Sequence, residues 1–533
     1  MKPLIQYLKS NNLALYIIAI ILLFPALFIN LGLLPLITDE PTRGIVALEM
    51  TLTDNYFVPT INGEFYYNKP PLYNWILILS TKLCGGFSEF ALRLPTVISL
   101  LFFGFLIFVF VRKHYGNKIA ILNALILITG GRVLLWDSFQ GLIDIFYSSL
   151  VFLSFMLIYH FYQKSKFYYL FLFSYLITAL GFLMKGMPSI LFQGLTLLVF
   201  FIYMKNWKKL FSLAHFTGLF LFALIIGSYY YTYYQYNSLE NIYSRLFIES
   251  SQRTVVGQGF LKALLHIFIF PVEMMYQFAP WTILIVCLFR KGLKKIVLSD
   301  PFIKFSFLIF IINIAFYWIS PAIHPRYLFM LFPLLFIVLT FMYEKQCKIN
   351  DIQRKIPDYI LLLLCFLAIP GAMIFPFIEV TKDIPYIFLK SAFLAVMIAI
   401  LSFLFIKLKD SRLIIFVIVI LLFRIAFNVF LMPERSSAEK QYKADAIEVG
   451  RMTAGEDLYV YDSTPIDHDA SFYISRERGT ILKKEKTVLK DDIYYLVDNN
   501  NLKKIRNNRL KINEFYTFEI KFQGTRLYLI KVY

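Results

Sequence analysis

The stretch LITDEPTRGIVALEMTLTDNYFVPTINGEFYYNKPPLYNWILIL, residues 36–79, decides the fold. It is far too polar to cross a bilayer. Yet it lies between apolar runs at 14–34 and 92–111, each near the roughly 18–25 residues that a membrane helix needs. It therefore reads as part of a long loop, residues 35–91, held on one face of a membrane. Within it, DEPTRGIVALEMTLTD begins with acidic residues and Pro41, then sets Ile45, Leu48 and Leu52 on one side. That spacing predicts an amphipathic helix lying in the interface.

Working outward, further apolar runs follow at 119–136, 141–161, 168–184, 187–204, 212–234, 265–289, 302–319, 325–343, 357–376, 386–406 and 413–432. The expectation is an α-helical polytopic membrane protein with about 13 transmembrane helices. The 533 residues agree with it, being 59% hydrophobic and only 16% charged, where soluble domains are about 45–50% apolar and about 25% charged. The first run has no clear cleavage site after it and reads as a retained helix. A net charge of +19 does not imply nucleic acid, because the cations form short clusters between apolar runs. Every second loop is basic, from Lys2 and Lys9 through Arg112, Lys113 and Lys118 to Lys407, Lys409 and Arg412. Lys and Arg concentrate on the cytoplasmic side. The N-terminus is then cytoplasmic, and an odd number of spans puts the C-terminus outside, with the loop at 35–91 on the outer face.

The membrane domain is expected to occupy residues 1–432, and a small extracytoplasmic α/β domain residues 433–533. There the composition turns polar, and strand-like DLYVYD, DIYYLVD and TRLYLIKVY alternate with helical AEKQYKADAIEVG. DNNNLKKIRNN approaches low complexity. Four cysteines, Cys84, Cys287, Cys347 and Cys365, have neither paired nor metal-type spacing.

The polar groups with chemical potential sit at the outer ends of the spans. Asp39 and Glu40 read either as a helix cap with favourable dipole charge or as a general base at the bilayer surface. Lys69 reads either as a snorkelling interface lysine or as a phosphate-binding cation, whose backbone Pro70 and Pro71 restrain. Asp137 and Asp144 flank SFQGLID; an acid that enters hydrocarbon costs about 2–3 kcal/mol and is a functional candidate by default. Lys185, Arg253, His324, Tyr327 and Arg326 are further outer-face candidates, the cations suited to the rim of a phosphate-binding cavity.

TDEPTRGIVALEM, PTINGEFYYNKPPLYNWI and EFALRLPTVIS, followed in order by GLIDIFYSSLVFLS, GFLMKGMPSIL, FAPWTIL and HPRYLFMLFPLL, resemble the type C glycosyltransferases of the protein O-mannosyltransferase and 4-amino-4-deoxy-L-arabinose lipid A transferase superfamily. The resemblance covers the membrane portion and is strongest in about the first 200 residues. It implies inverting transfer of a sugar from a polyprenyl-phosphate-linked donor to a lipid A, glycan or protein acceptor, on the outer face of a bacterial cytoplasmic membrane. It implies Asp39 as base, with Glu40 beside it and Asp144 as a second acid. Lys69 would bind the donor phosphate, helped by Arg253 and Arg326. Many relatives have Glu before the lysine, where this chain has Asn68; if that Glu helps bind a metal or an amino sugar, this chain is expected to do neither. A divalent metal is left open, with no metal ligand assigned. The rival from another class is a transporter or flippase of lipid-linked sugars, which would predict repeated halves and broken helices at the midplane; no repeat is visible.

Overall fold

The computed structural model describes residues 6, 8, 11–242, 244–245, 259–485, 490–507, 510–521 and 524–533. Every one of the thirteen apolar runs contains helix. Eight described helices are long and apolar enough to cross a membrane by length and composition, and the chain is a multi-pass membrane protein. Its helices leave large apolar side chains such as Phe220, Phe268 and Leu389 exposed on the outside. In water such a surface would be untenable, and in lipid it is the solvated one.

After α1 (Leu13–Phe28) the chain enters the polar loop, where the expected amphipathic helix forms as α2 (Glu40–Leu52) with Pro41 in its first turn. A tight hairpin follows, β1 (Thr60–Ile61) paired with β2 (Glu64–Phe65). Its turn is Asn62–Gly63, both at positive φ, the dipeptide that a two-residue hairpin favours. Glu49 of α2 clamps that turn, accepting from Thr60 Oγ1 at 2.7 Å and from the backbone N–H groups of Asn62 and Gly63 at 2.5 and 3.2 Å. Burial pushes the Glu49 carboxyl up, and those hydrogen bonds pull against it. Pro71 then stands at the N-cap of α3 (Leu72–Leu83).

Several runs differ from single straight helices, each for a visible reason. Runs 92–111 and 119–136 share α4 (Glu89–Ile128), which breaks at Gly116, φ 80° and ψ 175°, a conformation open to glycine. The second of these runs leaves the helix after Ile128, and the backbone of Gly131 turns to donate to Ala279 O at 2.7 Å. α5 (Asp144–Gln163), α6 (Phe167–Lys185), α7 (Pro188–Tyr203) and α8 (Leu213–Tyr234) match their runs closely. Run 265–289 divides into α9 (Phe260–Gln277) and a 3-10 segment, Trp281–Phe289. α10 (Pro301–Trp318) is followed by run 325–343, which opens as a 3-10 turn, Pro325–Leu328, before the short α11 (Phe332–Phe341). Pro325 and Pro333 explain that split start, since neither can donate a backbone hydrogen bond.

Beyond α12 (Ile352–Met373), α13 (Ile387–Lys407) and α14 (Arg412–Ala426), a π turn at Phe427–Leu431 leads straight into α15 (Met432–Met452). No loop separates the last span from the polar tail. The tail holds a five-stranded mixed sheet, order β4-β3-β5-β7-β6, from β3 (Leu458–Tyr461), β4 (Lys483–Glu485), β5 (Tyr494–Asp498), β6 (Ile512–Glu519) and β7 (Arg526–Val532). Its three central strands are the three expected from the sequence. Leu458, Val460, Leu496, Leu527 and Leu529 face the main core with α16 (His468–Arg478), while Tyr495, Val497, Ile530 and Val532 pack on α17 (Asn499–Asn507).

The sheet domain is docked onto the loop at 35–91. Asn62 donates to Ser471 Oγ at 3.0 Å and Leu482 O at 2.9 Å. Tyr473 donates to Glu89 at 2.9 Å and accepts from the Leu36 N–H at 3.0 Å. Lys443 of α15 pairs with Glu89 at 2.5 Å.

Candidate active site

Asp39 and Glu40 are neighbours in sequence and opposites in structure. Glu40 is 1% exposed and Arg93 also 1%. Arg93 Nε donates to Glu40 Oε1 at 2.8 Å and a terminal nitrogen donates to Oε2 at 2.9 Å, a bidentate pair. The backbone N–H groups of Ile37 and Gly141 complete the carboxylate at 3.0 and 2.6 Å. The remaining Arg93 N–H groups reach the carbonyls of Leu31, Leu34 and Pro35. With its lone pairs engaged and no solvent path, Glu40 ties the end of α1 and the start of α2 to α4. Glu40, expected beside Asp39 as a catalytic acid, is thus sealed from solvent and fully hydrogen-bonded.

Asp39 does not cap α2 with its side chain. The side chain is 57% exposed and accepts from a terminal nitrogen of Arg326 at 2.5 Å. Thr38 before it holds φ 56°, a costly conformation for a β-branched residue, and its hydroxyl donates to Gln140 at 2.7 Å. The Nε of Arg326 lies 3.4 Å from Asp144, which is 5% exposed. Asp144 takes Lys185 Nζ on its other oxygen at 2.5 Å. Local structure favours both ends of that pair. Asp144 opens α5 and Lys185 closes α6, so each helix dipole stabilises the charge it carries. Gly186, at φ 78°, stops α6 immediately after the lysine. The Lys185 ammonium lies 4.0 Å from the ring centre of Tyr327 and 5.0 Å from that of Tyr147, a cation–π cage. His324 meets Tyr327 edge-on at 5.4 Å.

Lys69 is half-buried beside Tyr66, Tyr67, Tyr229 and Tyr233. Its charge is felt at both Asp144 and Lys185. Asn68 accepts from Arg245 Nε at 3.0 Å, which adds a further cation on that side. Two carboxylates, Asp39 and Asp144, thus face Arg326, Lys185 and Lys69, and the balance of the cluster is positive. Asp137 is buried behind it, 2.8 Å from Arg132 Nε. Burial pushes its carboxyl up to about 7, against the pull of Arg132 and Arg326 and with the push of Asp144. Arg132 and Trp136 in turn line an apolar cavity of about 820 Å³ between the segment after α4, the end of α9, α12 and α14.

The structure therefore brings Asp39, Arg326, Asp144, Lys185, Tyr327 and Lys69 into one neighbourhood, with His324 and Asp137 at its edges. Arg253 lies outside the described residues. Among the described residues no three His, Cys, Asp or Glu side chains are grouped to hold a metal ion. Sequence reading missed Arg93, Arg245, Tyr147 and the Asn62–Gly63 hairpin. A lone arginine in EFALRLPTVIS had a signal, since a cation at the membrane must find a carboxylate; Asn–Gly was itself a hairpin signal. Nothing in the sequence marked Arg245.

A family model described as dolichyl-phosphate-mannose-protein mannosyltransferase matches residues 68–231, which run from Asn68 to α8 and include Lys69, Asp137, Asp144 and Lys185. A protein of Aquifex aeolicus (strain VF5) described as uncharacterized is 24% identical over 59% of this chain and 61% of its own length. An undecaprenyl phosphate-alpha-4-amino-4-deoxy-L-arabinose arabinosyl transferase of Shewanella sediminis (strain HAW-EB3) is 33% identical over 100 residues, 18% of each chain. Among solved structures, ArnT from Cupriavidus metallidurans bound to undecaprenyl phosphate superposes with a TM-score of 0.70 at 15% identity, covering 98% of both chains. Its apo state gives 0.67 at 14% identity over the same shares. Matched along nearly its whole length, the chain has the type C glycosyltransferase fold.

Proposed function

We propose that the chain transfers a sugar from a polyprenyl-phosphate-linked donor to an acceptor hydroxyl or amine, with inversion at the anomeric carbon, on the extracytoplasmic face of a cytoplasmic membrane. The observation that carries this reading is the meeting of Asp39, Lys69, Asp144, Lys185 and Arg326, five charged residues from five separate segments, with cations in excess. Such an excess in a partly dehydrated site suits a lipid phosphate. The names of the Shewanella relative and of the undecaprenyl-phosphate-bound neighbour support it, as does a large apolar cavity beside Arg132 with room for a lipid chain. The alternating basic loops support a site on the outer face.

The steps follow from charge. Lys69 and Arg326 meet the donor phosphate and neutralise the charge that grows on it as the bond from the anomeric carbon to the phosphate oxygen breaks. Asp39, the exposed carboxylate of the cluster, takes the proton of the acceptor as its oxygen or nitrogen bonds to the opposite face of that carbon. Polyprenyl phosphate leaves. Asp144 and Lys185 stay buried and fix Arg326 from behind. No step passes through a metal. Lipid A, another glycan and a protein are all acceptors of suitable chemistry.

Purified protein given radiolabelled polyprenyl-phosphate sugar tests the reading. Release of polyprenyl phosphate that depends on an acceptor, and falls with Lys69→Ala in protein that still expresses and folds, is the expected result. Unchanged release in Lys69→Ala would remove that lysine from the mechanism, and movement of intact labelled lipid across a vesicle membrane would replace transfer with transport.

A further inference from the structure

The sheet domain and the segment around the start of α2 line a polar cavity of about 350 Å³, within the range of about 300–1,000 Å³ that small-molecule sites occupy. Its lining residues include Thr38 and Pro41, which bracket Asp39 and Glu40 in the chain. The opposite wall is Asp467, His468, Asp469 and Lys521. Thr42 Oγ1 and His468 Nδ1 are 2.8 Å apart. Lys521 reaches Asp469 at 3.1 Å and the carbonyl of Leu36 at 3.5 Å. Burial holds the His468 imidazole below its ordinary range, which leaves it a neutral ring with one donor and one acceptor nitrogen.

The charge of this wall is the reverse of the donor side. Two carboxylates against one ammonium repel a phosphate. Alternating acceptors (Asp467, Asp469, Thr42) and donors (Lys521, a neutral His468) suit a ligand whose groups both give and take hydrogen bonds, as sugar hydroxyls do, and Pro41 offers an apolar face for a ring. We infer that this cavity is the acceptor subsite, that it takes a carbohydrate, and that the sheet domain is there to supply half of it. The inference rests on the proposed transfer reaction and narrows its acceptor to one that presents a sugar ring beside Asp39.

The test uses the full chain in detergent and a panel of methyl hexopyranosides and methyl N-acetylhexosaminides, read by saturation-transfer NMR. At least one glycoside is expected to saturate in the millimolar range, with affinity lowered about tenfold in Asp469→Asn, the loss of one hydrogen bond to a charged group. Thr42→Val keeps its side-chain shape and gives a second readout if Asp469→Asn does not fold; it too should weaken binding. No saturation by any glycoside, affinity in both variants equal to that of the unsubstituted protein, or displacement of the glycoside by inorganic phosphate would each overturn the inference. Capture of undecaprenyl phosphate by the unsubstituted protein, followed in parallel by mass spectrometry, reports on the donor reading alone, so that either reading can fail without the other.

Discussion

Two ionic clusters meet at the start of α2, and they differ in one respect that matters. The Arg93–Glu40 pair is sealed, each partner 1% exposed and each hydrogen-bonded on several sides. The Asp39–Arg326–Asp144–Lys185 chain is buried at one end and open at the other, from 5% exposed at Asp144 to 57% at Asp39. A saturated carboxylate has nothing left to offer a substrate. One anchored through its partner, with an oxygen toward solvent, can accept a proton without the site losing its shape. Burial and saturation, not the carboxylate itself, separate the two clusters.

The sharpest way to break that comparison is Asp39→Asn. Turnover is expected to fall by roughly a hundredfold to ten-thousandfold, the usual worth of a general base, with the thermal midpoint unchanged; a loss of folding instead would make Asp39 structural. Arg93→Ala should do the reverse, destabilising by about 3–5 kcal/mol because it leaves the Glu40 charge buried and uncompensated, read as a lost yield or midpoint. A smaller effect is expected from Gly141→Ala. A β-carbon there would meet the Leu92 carbonyl oxygen at 2.8 Å and Glu40 Oε1 at 3.5 Å, displacing the backbone N–H that completes Glu40, at a cost of about 1–3 kcal/mol. Asp137, whose charge faces Arg132, Asp144 and Arg326, is expected to act on the pH dependence. Its folded pKa of about 7 stands above the ordinary 3.8, so the folded state holds more protons across that interval. Stability then falls as pH rises from about 4 to 7, and Asp137→Asn should flatten that part of a midpoint-against-pH curve.

The fold was legible in the sequence because a bilayer imposes length and hydropathy on each span, and the resemblance supplied the type C architecture. The sheet domain was legible only in its central strands β3, β5 and β7, whose apolar alternation is plain. The edges were not: β4 reads KKE, and β6 follows the stretch DNNNLKKIRNN, which looks structureless yet forms α17 because Leu502 and Ile505 lie one turn apart on a buried face. In the site, Asp39, Lys69 and Asp144 stood out as charges where charge is costly. Their arrangement did not, since Arg326 reaches Asp39 across 287 residues and Arg93 reaches Glu40 across 53. Local pattern carries no record of which distant cation closes which carboxylate, and so the sealed Glu40 could not be told from the exposed Asp39.

The passage from α14 through the π turn into α15 gives the molecule a stiff shaft in place of a hinge. A domain mounted on a shaft cannot swing aside like a lid. The loop at 35–91 therefore lies against a fixed wall, fastened to it through Leu36, Asn62 and Glu89.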